Sequence, residues 1–456
     1  MGNLCKVWAG IVLGVIILSQ PGAGQVAQEQ ISVDFREIVQ AAKDKVFPAV
    51  VYIKCLSENH ESGKKITQEV GGSGTIISPD GEILTNWHVV DKAVEIRCLL
   101  YSGASYYAKL IGSDKDTDLA LLKLERKGDT AALSTAKLGD STVLKEGDFV
   151  MAMGAPWGLS RSVSIGIISC THRYLPQGEY SLWLQTDAAI SPGNSGGPLV
   201  NTKGEIVGIN TLGELIGGDL GFAVPSETIQ YMLPQFRQFG KVNWSWLGLQ
   251  LQPLRDFNRN IYFDATEGVM VAETDPDSPA RKAGIAARDR IIRIGGKPVT
   301  AATEEDLPVL RRTLGLLEKE KAVEVELIRN QETIKVQLTP TEKGKVQGDE
   351  LDCPRWDFTV KTINQFENPD LYYYRKEGVF IFGIKYPGNA SNSNLREQDI
   401  ILKIDGQDVK TLDDVRKIHA DAIAAVQQKN RCIFTVLRNG LMQQAVLEFS
   451  RDYEKH

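Results

Sequence analysis

The sequence is short of several things, and each shortage narrows the reading. It has no excess of basic charge: 52 Lys and Arg stand against 58 Asp and Glu, a net −6, so charge gives no reason to expect a nucleic-acid partner. It has a single long apolar run, Val7–Ser19, which excludes a polytopic membrane protein. Its six cysteines form no CxxC pair, so neither a metal site nor a disulfide framework is expected. Histidine is scarce too, and any base must come from His60, His88, His172, His419 or His456. At 456 residues the chain is too long for one small domain; roughly 100–200 residues per domain predicts two to four.

The apolar run follows Lys6 and precedes the small residues Gly22 and Gly24. It falls short of the ~18–20 residues that span a bilayer and reads as a secretory signal, residues 1–24, cleaved after Gly24. An uncleaved membrane anchor is the alternative. Cleavage removes Cys5 and leaves Cys55, Cys98, Cys170, Cys353 and Cys432, an odd set in an oxidising compartment. At least one thiol is unpaired, several read as small apolar residues in strands, and a single disulfide stays open.

From Val50 to about Val224 short β-branched runs alternate with Gly, Asp, Pro and Asn, the pattern of an antiparallel all-β sandwich or barrel. Pro225–Gly240 reads as a closing helix with Ser226 as its N-cap, which puts a boundary near Lys241. Beyond it the chain repeats itself. Residues 268–300 lie on 378–410 at an offset of 110, matching Gly268 with Gly378, Ala280 with Ala390, Asp289 with Asp399 and Gly296 with Gly406. Each copy runs on into a strand ending in Arg-Asn. The charged stretch Thr341–Glu350 between them reads as linker, about 342–355.

Gly193-Asn194-Ser195-Gly196-Gly197 carries the sharpest chemical signal. A serine among glycines has an unobstructed Oγ, and the neighbouring backbone N–H groups of Gly193, Asn194 and Ser195 are candidates to stabilise an oxyanion, foremost Gly193 and Ser195. A serine nucleophile needs a base; His88, at the end of the Ile83–Trp87 strand, has the best setting. The base needs a carboxylate. Asp118 directly precedes the strand Leu119–Leu124, while Asp114 and Asp116 sit further into the loop.

Thr85-Asn86-Trp87-His88-Val89-Val90, Asp116-Thr117-Asp118-Leu119-Ala120-Leu121 and Gly193–Leu199, in that order, resemble the trypsin-like serine proteases. Gln185–Ile190 and Gly221–Pro225 narrow the resemblance to the HtrA (DegP/DegQ-type) branch, whose PDZ modules the two repeats resemble. The resemblance implies a mainly β fold: a double β-barrel protease domain (46–240) with the triad between the barrels, followed by two α+β PDZ domains (244–341 and 356–451). Asn194 replaces the Asp that digestive relatives pair with a newly cut N-terminus, so zymogen cleavage is not expected; the loops Ala155–Val163, Thr171–Tyr180 and Gly213–Leu220 become candidate switches. Ala189 stands where a charged pocket would carry its acid, and with Ile190, Thr211, Leu212 and Gly213 implies an apolar pocket and cleavage after small or medium aliphatic residues. No cofactor is implied.

The first repeat carries Leu247-Gly248-Leu249, the loop type that holds a terminal carboxylate, so it is expected to bind C-terminal peptides. The second has Asp357-Phe358-Thr359 there and its role stays open. Family members assemble as trimers through the segment before the first strand, here 25–45, with Phe35 and Phe47 available; a helix docked on its own barrel would look the same. The expected protein is a secreted or periplasmic endopeptidase acting on unfolded or damaged proteins. The rivals are a catalytically weak holding scaffold and a protease that cuts one membrane-bound signalling partner.

Overall fold

The computed structural model describes residues 34–156, 161–175, 178–213, 220–258 and 265–453; the expected signal, residues 1–24, lies outside them. Six strands, β1 (Val50–Asn59), β2 (Ile66–Ile76), β3 (Glu82–Thr85), β4 (Ala93–Leu99), β5 (Ser105–Asp114) and β6 (Leu119–Leu124), close into a barrel in the order β1-β2-β3-β6-β5-β4. Strand alternation explains it: Val51, Ile53, Cys55 and Ser57 point inward along β1 while Tyr52, Lys54 and Leu56 are less buried. Each large aliphatic side chain buried this way, such as Ile53, Ile83 and Leu121, contributes roughly 1.5–3 kcal/mol. A second barrel takes β7 (Phe149–Gly154), β8 (Ser162–Arg173), β9 (Trp183–Thr186), β10 (Pro198–Asn201), β11 (Ile206–Gly213) and β12 (Gly221–Pro225) in the order β10-β11-β12-β9-β8-β7.

The helix Ser226–Phe239 closes the barrels and ends at Gly240, whose N–H donates to Phe236 O at 3.0 Å. Ser226 is its first residue and not its cap, contrary to the sequence reading. Pro225, the last residue of β12, holds the cap position, and the cap oxygen comes from a distant loop: Glu227 N donates to Ser141 Oγ (3.0 Å) while Ser141 N donates to Ser226 Oγ (2.9 Å). Upstream, the helix Phe35–Val46 buries Ala42 and Val46 and sends Lys45 Nζ to Lys203 O (2.8 Å), so it docks on its own second barrel.

Beyond the barrels β13 (Ser245–Trp246) pairs with a later strand, and a sheet follows. It runs β14 (Leu249–Gln252), β15 (Val269–Thr274), β16 (Arg290–Ile294), β18 (Val323–Arg329), β19 (Glu332–Leu338), with β17 (Lys297–Pro298) folded onto β16; β13's partner is β20 (Thr341–Glu342). Next come β21 (Glu350–Cys353), β22 (Phe358–Thr362), β23 (Val379–Ile384), β24 (Ile400–Ile404), β25 (Gln407–Asp408), β26 (Arg431–Arg438) and β27 (Leu441–Glu448), in the order β21-β22-β23-β24-β26-β27 with β25 on β24. From β22 onward this repeats the first sheet strand for strand. The matched aspartates do the same work in both copies: Asp289 takes Arg329 Nε at 2.7 Å and Asp399 takes Arg438 Nε at 2.6 Å, each arginine coming from the Arg-Asn strand end.

Strand β21 has no counterpart in the first sheet; it takes Glu350–Cys353, part of the stretch read as linker (342–355), into the second sheet. Part of the charged stretch is drawn into the fold: Lys343 is 8% exposed and Glu350 lies against Lys92, Lys361 and His60, while Glu342, Lys345 and Asp349 stay exposed. All five cysteines among the described residues are free thiols, four of them buried in strands or the core. Burial pushes the Cys55 thiol up to about 12, so it packs as an apolar group.

Candidate active site

The two barrels bring His88, Asp118 and Ser195 together. Strand β3 ends at Thr85, and the short helix Trp87–Val90 turns the chain so that His88 Nδ1 lies 2.9 Å from Asp118 Oδ2 and 3.0 Å from Oδ1. Asp118 is held from several sides. Its φ is +53°, a left-handed conformation that Asp tolerates, its carbonyl accepts from Asn86 Nδ2 (3.0 Å), and its Oδ1 also takes His88 N (3.1 Å). The hydroxyl of Thr211 donates to Asp118 Oδ2. The Thr211 side chain therefore acts as a positioning group, buried and committed to the carboxylate.

Ser191-Pro192-Gly193-Asn194 is a tight turn in which Asn194 N donates to Ser191 O at 2.9 Å and Gly193 has φ +96°, the type II geometry that favours Pro then Gly. This corrects one expectation. The Asn194 N–H is spent inside the turn and is not an oxyanion donor, whereas those of Gly193 and Ser195 have no acceptor among the described residues. The Asn194 side chain faces away, buried beneath Gly154 and accepting from Ser162 Oγ (3.0 Å).

Ser73 is the residue that sequence reasoning missed. Its Oγ donates to Gly193 O (2.6 Å) and accepts from Ala155 N (2.8 Å), while its N–H donates to Ser195 O (2.8 Å). One buried serine from the first barrel thus clamps both ends of the nucleophile turn on the second. The only signal was the Gly71-Gly72-Ser73-Gly74 run, whose lack of side chains admits the turn: a Cβ on Gly72 would lie 3.3 Å from Ser195 O. Ser73→Ala should lower kcat about 100-fold with little change in KM, because a misplaced oxyanion donor costs on that order; steady-state kinetics on a chromogenic peptide measure it, and an unchanged kcat removes Ser73 from the machinery.

Ser195 Oγ itself donates to Thr211 O at 3.0 Å and not to His88, a resting arrangement of a kind that tightens with substrate. Beside it, Ala189 is exposed with its carbonyl accepting from Ser164 Oγ (2.6 Å), and Ile190 fills the space at Gly221, where a Cβ would lie 2.8 Å from Ile190 Cδ1. Leu212 and Gly213 pair with Phe222 and Gly221 through their backbones. Of the candidate switch loops, residues 157–160, 176–177 and 214–219 lie outside the described residues.

Residues 72–209 match the trypsin-like peptidase domain family and residues 245–339 match the PDZ domain family. A probable periplasmic serine endoprotease, DegP-like, of Ectopseudomonas mendocina is 38% identical over 386 residues, covering 81% of this chain and 77% of the relative. The DegP-like protein of Pseudomonas savastanoi pv. phaseolicola is 39% identical over 351 residues, 74% of this chain and 70% of its own length. Among solved structures, the HtrA-type protease AlgW with tripeptide superposes with a TM-score of 0.59 at 30% identity, covering 67% of this chain and 97% of that one. The chain belongs to the DegP-like, HtrA-type family of trypsin-like serine endoproteases. It is a serine endopeptidase with a double β-barrel and a PDZ domain.

In this protease the PDZ domain touches the loop that carries Asp118. Leu247, Gly248 and Leu249 line a groove with Arg311 and Leu314 of the helix Leu307–Gly315, and the groove's far wall includes Tyr180 and Lys343. Lys343 Nζ reaches Asp116 Oδ2 (2.8 Å), Glu179 Oε2 (3.1 Å) and Tyr180 Oη (3.1 Å). Two residues from Asp116, Asp114 accepts Trp244 Nε1 (2.9 Å), and Trp244 stacks on Tyr180 at 4.2 Å. Burial, helped by the neighbouring Asp116 charge, pushes the Asp114 carboxyl up to about 6.

Proposed function

We propose that this chain is a periplasmic, cofactor-independent endopeptidase that degrades unfolded or damaged proteins, gated by C-terminal peptides at Leu247-Gly248-Leu249. The observation that carries the catalytic part is the His88–Asp118 pair beside Ser195, with two backbone N–H groups unspent in the nucleophile turn. His88 Nε2 takes the Ser195 proton as Oγ attacks the scissile carbonyl; the developing oxyanion meets the Gly193 and Ser195 N–H groups. Asp118 holds the tautomer and stabilises the imidazolium, which then protonates the leaving amine; water, deprotonated by His88, releases the acyl group. Ala189 and Ile190 offer no charge, so the side chain before the cut is small or medium aliphatic. The gating part rests on Lys343, which lines the peptide groove and bonds the loop leading into Asp118. Assembly as a trimer or its multiple would use the exposed face around Phe35, whose ring lies 4.6 Å from that of Phe149.

The test is hydrolysis of reduced casein at several temperatures, with and without hydrophobic C-terminal peptides, alongside labelling by a fluorophosphonate. Turnover that rises with peptide, and a label found by mass spectrometry on Ser195, support the proposal. Suppression of aggregation without turnover or labelling under every condition would replace it with a holding scaffold.

A further inference from the structure

The second sheet differs from the first at the edge where peptides add. In the first, β14 is the outer strand and borders the groove with the helix Leu307–Gly315. In the second, the equivalent strand β22 is already covered: β21 pairs with it antiparallel, Glu350 opposite Lys361, Leu351 opposite Val360, Asp352 opposite Thr359 and Cys353 opposite Phe358. The helix Leu412–Ala424, counterpart of Leu307–Gly315, packs against β21 as well as β22. β21 runs toward the 354–357 loop, the direction of an added peptide whose end meets the carboxylate loop. Cys353, 0% exposed, and Leu351 join the module's core as the side chains of such a peptide would.

The loop at the end of this strand is built for continuing chain and not for a free carboxylate. One residue off the 110-residue offset, the place of Gly248 (φ +69°, its O accepting from Asp275 N) is taken in the second module by Asp357 (φ +58°, its O accepting from Lys385 N), buried, its Oδ2 accepting Asn389 N (2.8 Å) and its Oδ1 taking Lys385 Nζ (3.2 Å). A second carboxylate brought beside it is repelled.

The geometry points to Glu350–Cys353 as an internal ligand of the second module: the chain fills that module's peptide site with its own segment, and the module is a clasp, not a second peptide receptor. What it clasps is the tip of the β1–β2 hairpin. Glu350 pairs with Lys92 Nζ (2.6 Å) and Lys361 Nζ (3.0 Å) and lies 3.0 Å from His60 Nδ1, and Thr359 Oγ1 donates to His60 O (2.6 Å). The fit is tight: a Cβ on Gly383 would lie 2.1 Å from Glu61 O. A tethered ligand presents itself at an effective concentration in about the millimolar range, so a free peptide of micromolar affinity does not displace it. This inference stands apart from the protease reading, since the triad does not enter it and the first module enters only as a reference.

The probe is a synthetic peptide of residues 347–354, amidated at its C terminus so that the carboxylate loop of the first module has nothing to hold. By calorimetry the full-length protein should not bind it at 1 mM, and Leu351→Asp, which drives β21 out of the core, should bind about one per chain. Hydrogen exchange on the unaltered protein gives an answer that does not depend on the variant's folding. The outward amides of β22 should exchange about 100-fold more slowly than those of β14, because they open only when β21 leaves. Peptide binding by the unaltered protein at the second module, or equal exchange at the two edges, overturns the inference. Glu350→Gln should speed exchange at residues 59–64 while leaving β22 protected; no change there removes the clasp and leaves only the occupied groove.

Discussion

Ser195→Ala should lose about 10⁶-fold in kcat, and Asp118→Asn about 10⁴-fold, with KM and melting temperature near those of the unaltered protein. The two losses differ because the residues act at different removes from the bond that breaks. Alanine at 195 deletes the nucleophile, leaving the oxyanion donors and substrate binding to supply what rate remains. Asparagine at 118 keeps Oδ1 for His88 N but puts its amide nitrogen in place of the present Oδ2, 2.9 Å from His88 Nδ1, where the Thr211 hydroxyl must turn to accept, and so selects the tautomer that is unable to take the serine proton. At 1.36 kcal/mol per decade the second loss is about 5.4 kcal/mol of barrier. The double variant should be no slower than Ser195→Ala alone, since the residues work as a unit. Burst and steady-state kinetics on a peptide ester measure all three; a ten-fold or smaller loss in Asp118→Asn would move the carboxylate role to another residue.

Lys343→Met should cost about 3–5 kcal/mol of stability, among the largest effects open to a side chain outside the triad. The Lys343 side chain is 6% exposed, and its ammonium serves Asp116, Glu179 and Tyr180 together. Methionine fills the stem's volume but leaves Asp116, beside the buried Asp114, without its ammonium partner. Burial alone would lower the Lys343 pKa; Glu179, Tyr180 and Asp116 outweigh it and hold the ammonium well above the usual lysine range. A raised folded pKa means that the contribution is complete below the unfolded lysine value and fades only as pH rises through the folded one, so the loss should be the same at pH 8 and pH 9, above the range where Asp114 takes a proton. Urea unfolding followed by the fluorescence of Trp244 and its neighbours measures it. A loss under 1 kcal/mol would mean that water, not Lys343, satisfies these carboxylates.

The parts that could be read from the sequence were those whose cause lies within a few residues. Three short motifs carried His88, Asp118 and Ser195, because a strand end, a left-handed Asp and a glycine-bounded turn are local solutions to placing one side chain. The repeat showed itself through Asp289 and Asp399 because each buried carboxylate needs its own Arg329 or Arg438, and losing either partner strands a charge. Local chemistry also misled. Ser226 has the right residue type for a cap, yet β12 runs to Pro225 and puts the cap one residue earlier, with the oxygen supplied from Ser141, 86 residues away.

From the sequence by itself came the all-β reading, the internal repeat and the candidate triad, written in local periodicity, spacing and turn chemistry, while the double barrel and the PDZ character of the repeats followed from family resemblance. Only the tertiary structure decided which groups hold the site in place and which surfaces are open. Ser73 clamps the nucleophile turn across 120 residues, Lys343 joins the PDZ groove to the loop of Asp118 across 227, and Glu350–Cys353, within a stretch that reads as linker, becomes an edge strand. The physical reason is common to all three. A buried polar group must find partners wherever the fold brings them, and no local pattern records a partner that the chain meets only after it has closed on itself.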